Sequence, residues 1–154
     1  MDFTLTSNSI DPNALRAPLL RVDAGGYCSF EGWVRNHHLG RDVTRLEYEA
    51  YGVLAERQGQ QVLADAIARY DLLGAAAQHR IGSLLPGDMA VWVGVCAVHR
   101  GEAFEACRFI IDEIKATVPV WKHEFYTDGT EEWVDPTACH CDHRHADAEA
   151  VRVG

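Results

Sequence analysis

Residues 89–98, MAVWVGVCAV, run without a single charged side chain, and this stretch limits the folds open to the chain more than any other. It is too short to cross a bilayer as a helix, which takes about 20 apolar residues. As a strand rich in Val it needs cover on both faces. A chain of 154 residues, 47% of them hydrophobic, has the size of one compact domain able to supply that cover. Part of it is visible directly downstream. Residues 102–118 place Ala103, Phe104, Cys107, Ile110, Ile111 and Ile114 on one helical stripe, and Pro119 stops the helix.

The remaining pattern is mixed. Residues 1–20, broken by Pro12 and Pro18, are expected to hold no more than a strand with a loose lead-in. Residues 27–34 and 43–49 alternate as strands and are expected to pair through a polar, flexible loop at 36–42, NHHLGRD. Residues 50–70 read as a long amphipathic helix despite Gly52 and Gly59. Strands are expected at 78–85, 120–126 and 132–134, with turns at 86–88 and 128–129. Without regular βαβ alternation the class is α+β: a single domain with a mixed or antiparallel sheet and two main helices. It occupies residues 1–134, and residues 135–154 form a polar, Cys/His-rich tail expected to be mobile.

A net charge of −9 argues against nucleic acid and anionic membranes as partners, because the average field repels both. No basic and apolar leader opens the sequence, so a soluble cytoplasmic protein is expected. Its five cysteines, scattered at 28, 96, 107, 139 and 141, read as reduced thiols rather than a disulfide framework.

Of the 14 basic residues only Lys115 and Lys122 are lysine. An amine can serve as nucleophile or acid/base where a guanidinium cannot, although an Arg-biased composition gives the same count by chance. Basic groups also fall at element ends: Arg35 after a strand, His99 and Arg100 before the good helix, Lys115 in its last turns, Lys122 past Pro119. Gathered together they would make an anion pocket in an acidic protein. His99 and Arg100 adjoin a helix start whose free N–H groups favour an anion, or they are a surface pair ending a strand. Lys115 reads as a semi-buried reactive amine or as a snorkelling helix-end lysine. Glu124, on the strand face of Lys122, positions or neutralises a lysine, or is an ordinary cross-strand partner. In the tail Cys139, His140, Cys141, His143 and His145 are competent ligands, but C-x-C and H-x-H spacings do not match a structural zinc module and no metal site is assigned.

The segments SFEGWVRNHHLGRDVTRLEYEAY, HRIGSLLPGD, VHRGEAFEACRFIIDEIKATVPVWKHE and DGTEEWV resemble, in order, the large subunit of molybdopterin synthase, over about residues 25–134. The resemblance implies an α/β-hammerhead-like fold and a homodimer that forms a heterotetramer with a small ubiquitin-like sulfur carrier. The carrier's C-terminal Gly-Gly thiocarboxylate would enter a pocket and give sulfur, twice per product, to cyclic pyranopterin monophosphate, making the molybdopterin dithiolene without a cofactor. Carried over by motif, Trp33, Val34 and Arg35 line the pocket, His99 and Arg100 clamp an anion, Lys115 and Lys122 are catalytic, and His123 and Glu124 bind substrate. Arg69 and Arg80 are weaker candidates for the same pocket. The chain departs from the family at His123, where many relatives have Lys or Arg, and in lacking an arginine soon after Val134.

Two other readings are a non-catalytic dimeric module that binds a ubiquitin-like partner and a metal-handling protein acting through its tail. The first would be marked by loss of a lysine or of Arg100, and all three are present. Having no apolar periodicity, the tail is expected to bury little surface. Deleting residues 138–154 is therefore expected to leave the melting temperature unchanged; a fall of several degrees in calorimetry would show that the tail docks on the domain.

Overall fold

The computed structural model describes residues 2–134, so the expected tail and its candidate ligands Cys139, Cys141, His143 and His145 lie outside the described residues. The apolar run forms β7 (Met89–Ala97), buried at every position from Ala90 to Ala97. Its two edges are filled by β2 (Gly26–Trp33) and β5 (Gly74–Arg80), both antiparallel, and β1 (Phe3–Thr6) joins β5 in parallel. On one face Val91, Val93 and Val95 pack with α2 (Gly52–Tyr70) and α3 (Arg100–Thr117). On the other face Trp92 and Cys96 meet Ile10 and Leu19.

That second face explains the N-terminal segment, which does more than lead into a strand. Asp11 accepts hydrogen bonds from the N–H groups of Asn13 and Ala14 and caps α1 (Pro12–Arg16), and Ala17–Leu19 continue as a 3-10 turn that inserts Leu19. Pro12 stands at a helix start, where its missing N–H costs nothing, so a residue read as a breaker is an initiator.

A second sheet is built on β4 (Arg41–Ala50), which pairs with β8 (Val120–Tyr126) and β6 (Gly82–Leu84); β3 (His37–His38) joins its start, and β9 (Glu131–Val134) pairs with β8. Residues 27–34 and 43–49 therefore do not pair with each other as expected: the first pairs with β7 and the second with β8 and β6. The link between them is also not a loop. His37–Asp42 and His38–Arg41 pair across a two-residue turn in which Leu39 and Gly40 both have positive φ, 49° and 76°. Leucine seldom adopts that conformation, which hides the hairpin in the sequence. Likewise residues 78–85 are one strand by pattern but two in the fold. The chain leaves the first sheet after Arg80 and enters the second at Gly82, whose φ of 87° glycine adopts without strain.

The described residues thus form an α+β domain with two main helices and one short one, and with two sheets where one was expected. No helix among them is long and apolar enough to cross a membrane. Cys28, Cys96 and Cys107 are free thiols, and burial pushes Cys107 up to about 12.

Helix α2 holds to the first sheet partly through Gly59, against which the Phe3 ring lies so closely that an added Cβ would stand 2.2 Å from ring carbons. Helix propensity alone favours Ala over Gly by about 1 kcal/mol. The clash outweighs it, since overpacking a rigid core costs about 1–3 kcal/mol. Gly59→Ala is expected to lower the urea midpoint, and Phe3→Leu in the same chain to recover part of the loss; a stabilised Gly59→Ala would show that the ring moves freely.

Candidate active site

Three features of the fold converge on one cavity of about 150 Å³ between the two sheets and the C-terminal end of α3. First, Pro119 ends α3. Val118 turns extended, its N–H bonded to the Ile114 carbonyl, so Lys115 falls in the last turn, where the helix dipole favours a cation. Second, β8 starts immediately and turns Lys122 inward two residues after Val120. Third, the β2–β7 register shifts between Gly32 and Trp33, a bulge that aims Trp33 at the cavity while leaving it 58% exposed. Tyr48 of β4 and His79 of β5 complete the polar lining.

The two lysines differ electrostatically. Lys122 Nζ lies 2.7 Å from Glu124 Oε1, and the Glu124 carboxylate is buried. His38 Nδ1 and the Tyr126 hydroxyl each lie 2.6 Å from its other oxygen. Burial alone would raise this carboxyl. Hydrogen bonds from Lys122 and Tyr126, the charge of Lys122 and the bond from His38 outweigh it and hold Glu124 below its ordinary value. Of the roles open to Glu124, neutralising Lys122 is the one its geometry fits. Lys115 is exposed rather than semi-buried, because it stands at the cavity mouth past the last buried residue of the stripe, Ile114. No described residue forms an ion pair with it.

Not every residue singled out from sequence joins this cavity. His123 points to the opposite face of β8 from Lys122 and Glu124, stacked on Trp133 at 4.4 Å between ring centroids and tilted against Phe125. Strand alternation dictates that placement. Val34 is core, packed with Val43, Leu46, Leu84, Ala90 and Tyr126, and Arg35 beside it is exposed. Arg80, on the strand face opposite His79, pairs with Asp88 at 3.3 Å, and Arg69 lies over Tyr70 and Phe109. Neither lines the cavity. His99 stands just before α3, where its side chain makes no capping hydrogen bond, and Arg100 is the helix's first residue. At about 1.5 Å per residue they stand roughly 22 Å along the axis from Lys115, too far to share one cavity within a chain.

Conversely, sequence reading passed over two lining residues, His79 and Tyr48. His79 is buried, its Nδ1 lies 2.8 Å from the Arg80 carbonyl oxygen, and its ring meets Tyr48 edge-on at 5.0 Å. A carbonyl only accepts, so Nδ1 carries the proton. Burial first, then the charge of Lys115, lowers this imidazole to about 4 and keeps it neutral. Only its place in the HRIG segment marked it in the sequence.

The MoaE protein family model matches residues 5–117. The chain belongs to the MoaE family. Among curated relatives, a molybdopterin synthase catalytic subunit of Oryza sativa is 47% identical over 110 residues, covering 71% of this chain and 56% of the relative. The chain thus spans little more than half of that longer protein. One from Thermoplasma volcanium is 43% identical over 129 residues, covering 84% of this chain and 94% of the relative. Among solved structures, molybdopterin synthase from Staphylococcus aureus superposes on this MoaE chain with a TM-score of 0.80 at 30% identity, covering 86% of this chain and 95% of that one. A complex of subunits 1 and 2 of molybdopterin-converting factor from Helicobacter pylori shares the fold at a TM-score of 0.69 and 19% identity, over 86% of this chain and 89% of that one. Among the described residues no three His, Cys, Asp or Glu side chains gather as a metal site.

His79 ties stability to pH. The unfolded chain protonates this side chain near 6.5 and the folded chain only near 4, so the unfolded state binds more protons between those values. Stability from this group is complete above 6.5 and is lost as the pH falls towards 4, by up to about 3 kcal/mol. Glu124, held low, adds a loss further into acid. His79→Gln is expected to flatten the dependence of the urea midpoint on pH between 6.5 and 4; an unchanged slope would show that His79 does not titrate as its burial requires.

Proposed function

We propose that this chain is the catalytic subunit of a molybdopterin synthase: a sulfurtransferase that takes sulfur from the thiocarboxylated C-terminus of a small ubiquitin-like carrier and places it on cyclic pyranopterin monophosphate. The observation that carries the reading is the cavity with two unlike lysines, one open and one paired with Glu124. Both reactants are anions that repel each other in water, and a fixed cation at the cavity mouth offsets that repulsion where they must meet. Lys115 is the open cation and the reactive amine. Lys122, already balanced by Glu124, supports charge that develops deeper in the cavity.

In each transfer the carrier's C–S bond breaks, a C–S bond forms on the pterin side chain, and the carrier leaves as a carboxylate whose new oxygen comes from water or from the oxygen displaced from the substrate. Lys115 serves either by accepting the carrier's acyl group until water releases it or by moving a proton as sulfur attacks. Trp33, half-open over the cavity, offers a face for the pterin ring. His99 and Arg100 can contribute to such a site only across an interface between two copies, which suits the homodimer that the resemblance implies. The relatives' name, catalytic subunit, and the complex of subunits 1 and 2 from Helicobacter pylori support a second kind of subunit as this chain's partner.

Mixing the protein with thiocarboxylated carrier and cyclic pyranopterin monophosphate is expected to give dithiolene product, and its absence where a reference synthase works would sink the proposal. Lys115→Arg keeps the charge but not the titratable amine. It is expected to bind both reactants within a few-fold of wild type while single-turnover sulfur transfer falls by about two orders of magnitude or more. Lys122→Arg should retain a substantial fraction. Near-normal transfer by Lys115→Arg would reduce Lys115 to an anion anchor.

A further inference from the structure

His79 brings to the cavity something that the lysines lack. Lys115 and Lys122 can only donate hydrogen bonds, and most of the remaining wall, from Val91 and Ile111 to Ile114 and Val118, is apolar. His79 is tied at one end only. Its Nδ1–H goes to the Arg80 carbonyl and its ring is held against Tyr48. The tautomer this fixes puts a lone pair on Nε2, and no described residue bonds that atom. Among the described residues the buried side-chain polar atoms without a partner are Gln58 Oε1 and Arg80 Nε. Nε2 of His79 is neither, although the residue as a whole is buried, so the atom opens onto the cavity that His79 lines.

We infer that His79 is a specificity-determining residue whose Nε2 accepts a hydrogen bond from an N–H group of the bound heterocycle, so that the cavity reads a donor-bearing ring as well as an anion. This rests on the proposed pterin phosphate substrate, since a pterin carries ring N–H and amino donors while its phosphate carries none when ionised. The environment suits the task. An imidazole beside Lys115 would lose its acceptor if it took a proton, and burial together with that neighbouring charge keeps the proton off down to about 4. A ligand of the same charge without a donor at this position would leave a desolvated acceptor unpaired, which is how a site built for a hydrogen bond rejects the analogue that cannot make it.

Two substitutions divide the ring's functions. His79→Asn retains an N–H at the place of Nδ1 for the Arg80 carbonyl and has no atom at Nε2; His79→Gln places an amide oxygen near Nε2. Calorimetry with cyclic pyranopterin monophosphate and, separately, inorganic phosphate is expected to show His79→Asn weakening the pterin about ten- to a hundredfold with phosphate unchanged. His79→Gln should lie within a few-fold of wild type for both. In turnover the Asn variant should raise KM with little change in kcat. Equal weakening of pterin and phosphate, unchanged pterin affinity, or a fall confined to kcat would overturn the inference. Wild type that binds phosphate but no pterin phosphate would instead overturn the substrate reading itself. Should His79→Asn lose its near-UV circular dichroism, 15N spectra of the wild-type ring decide: Nε2 should shift with pterin phosphate and stay put with phosphate alone, and an unmoved Nε2 refutes the assignment.

Discussion

Strand β7 has no exposed face or free edge along most of its length, and the desolvation of its backbone is the constraint from which the rest of the domain follows. Each N–H and C=O taken from water needs a partner, and β2 and β5 supply them on either side. Each apolar face needs cover, and α2 and α3 provide one while Ile10 and Leu19 provide the other. The first sheet ends at β1 and β2, and β4 builds a second one with β6 and β8. The seam between the two sheets is where the cavity opens. Its position is a consequence of packing, with the polar residues set into the remaining gap.

How much of this can be read from sequence depends on the range of the interaction that decides it. The stripe of α3, its stop at Pro119 and the bounds of β8 are local matters of periodicity and proline stereochemistry, and the structure places them close to expectation, except that Phe104 of the expected stripe is exposed and Ala106 is buried in its stead. Residues 27–34 and 43–49 were legible as strands but not as members of different sheets, because the partners that assign them, β7 for the first and β8 for the second, lie more than fifty positions away. The hairpin at 37–42 was hidden by Leu39 in a left-handed conformation that favours Asn or Gly.

The site divides in the same way. Lys115 and Lys122 were singled out by rarity and by element ends, and the placement of Glu124 beside Lys122 followed from strand alternation. Alternation also argued against His123, whose grouping with its neighbours reflected the motif rather than the geometry. His38, in contact with Glu124 across 86 positions, and His79, defined by depth, left no trace in local pattern. The distance between His99 and Lys115 was in fact implicit in the helix reading, since residues at opposite ends of a five-turn helix cannot meet.

Pairing Lys122 with Glu124 has a kinetic corollary. Among the described residues of one chain, Lys115 is the lysine of the cavity left without an ion-pair partner, and the chain around it carries a net charge of −9. At physiological salt that charge is screened within about 8 Å, and the sign of the average field around it is set by the excess of carboxylates. Within one chain, long-range attraction therefore does little to guide a small phosphorylated molecule inward. Capture becomes a contact event, governed by random encounter and by fit once inside. An anionic group carried on the end of a protein escapes this handicap, because docking elsewhere on the surface fixes its local concentration at the entrance whatever the sign of the surrounding field. Such a site admits one reactant by tethering and leaves the other to diffusion, so the two should arrive with very different sensitivities to salt.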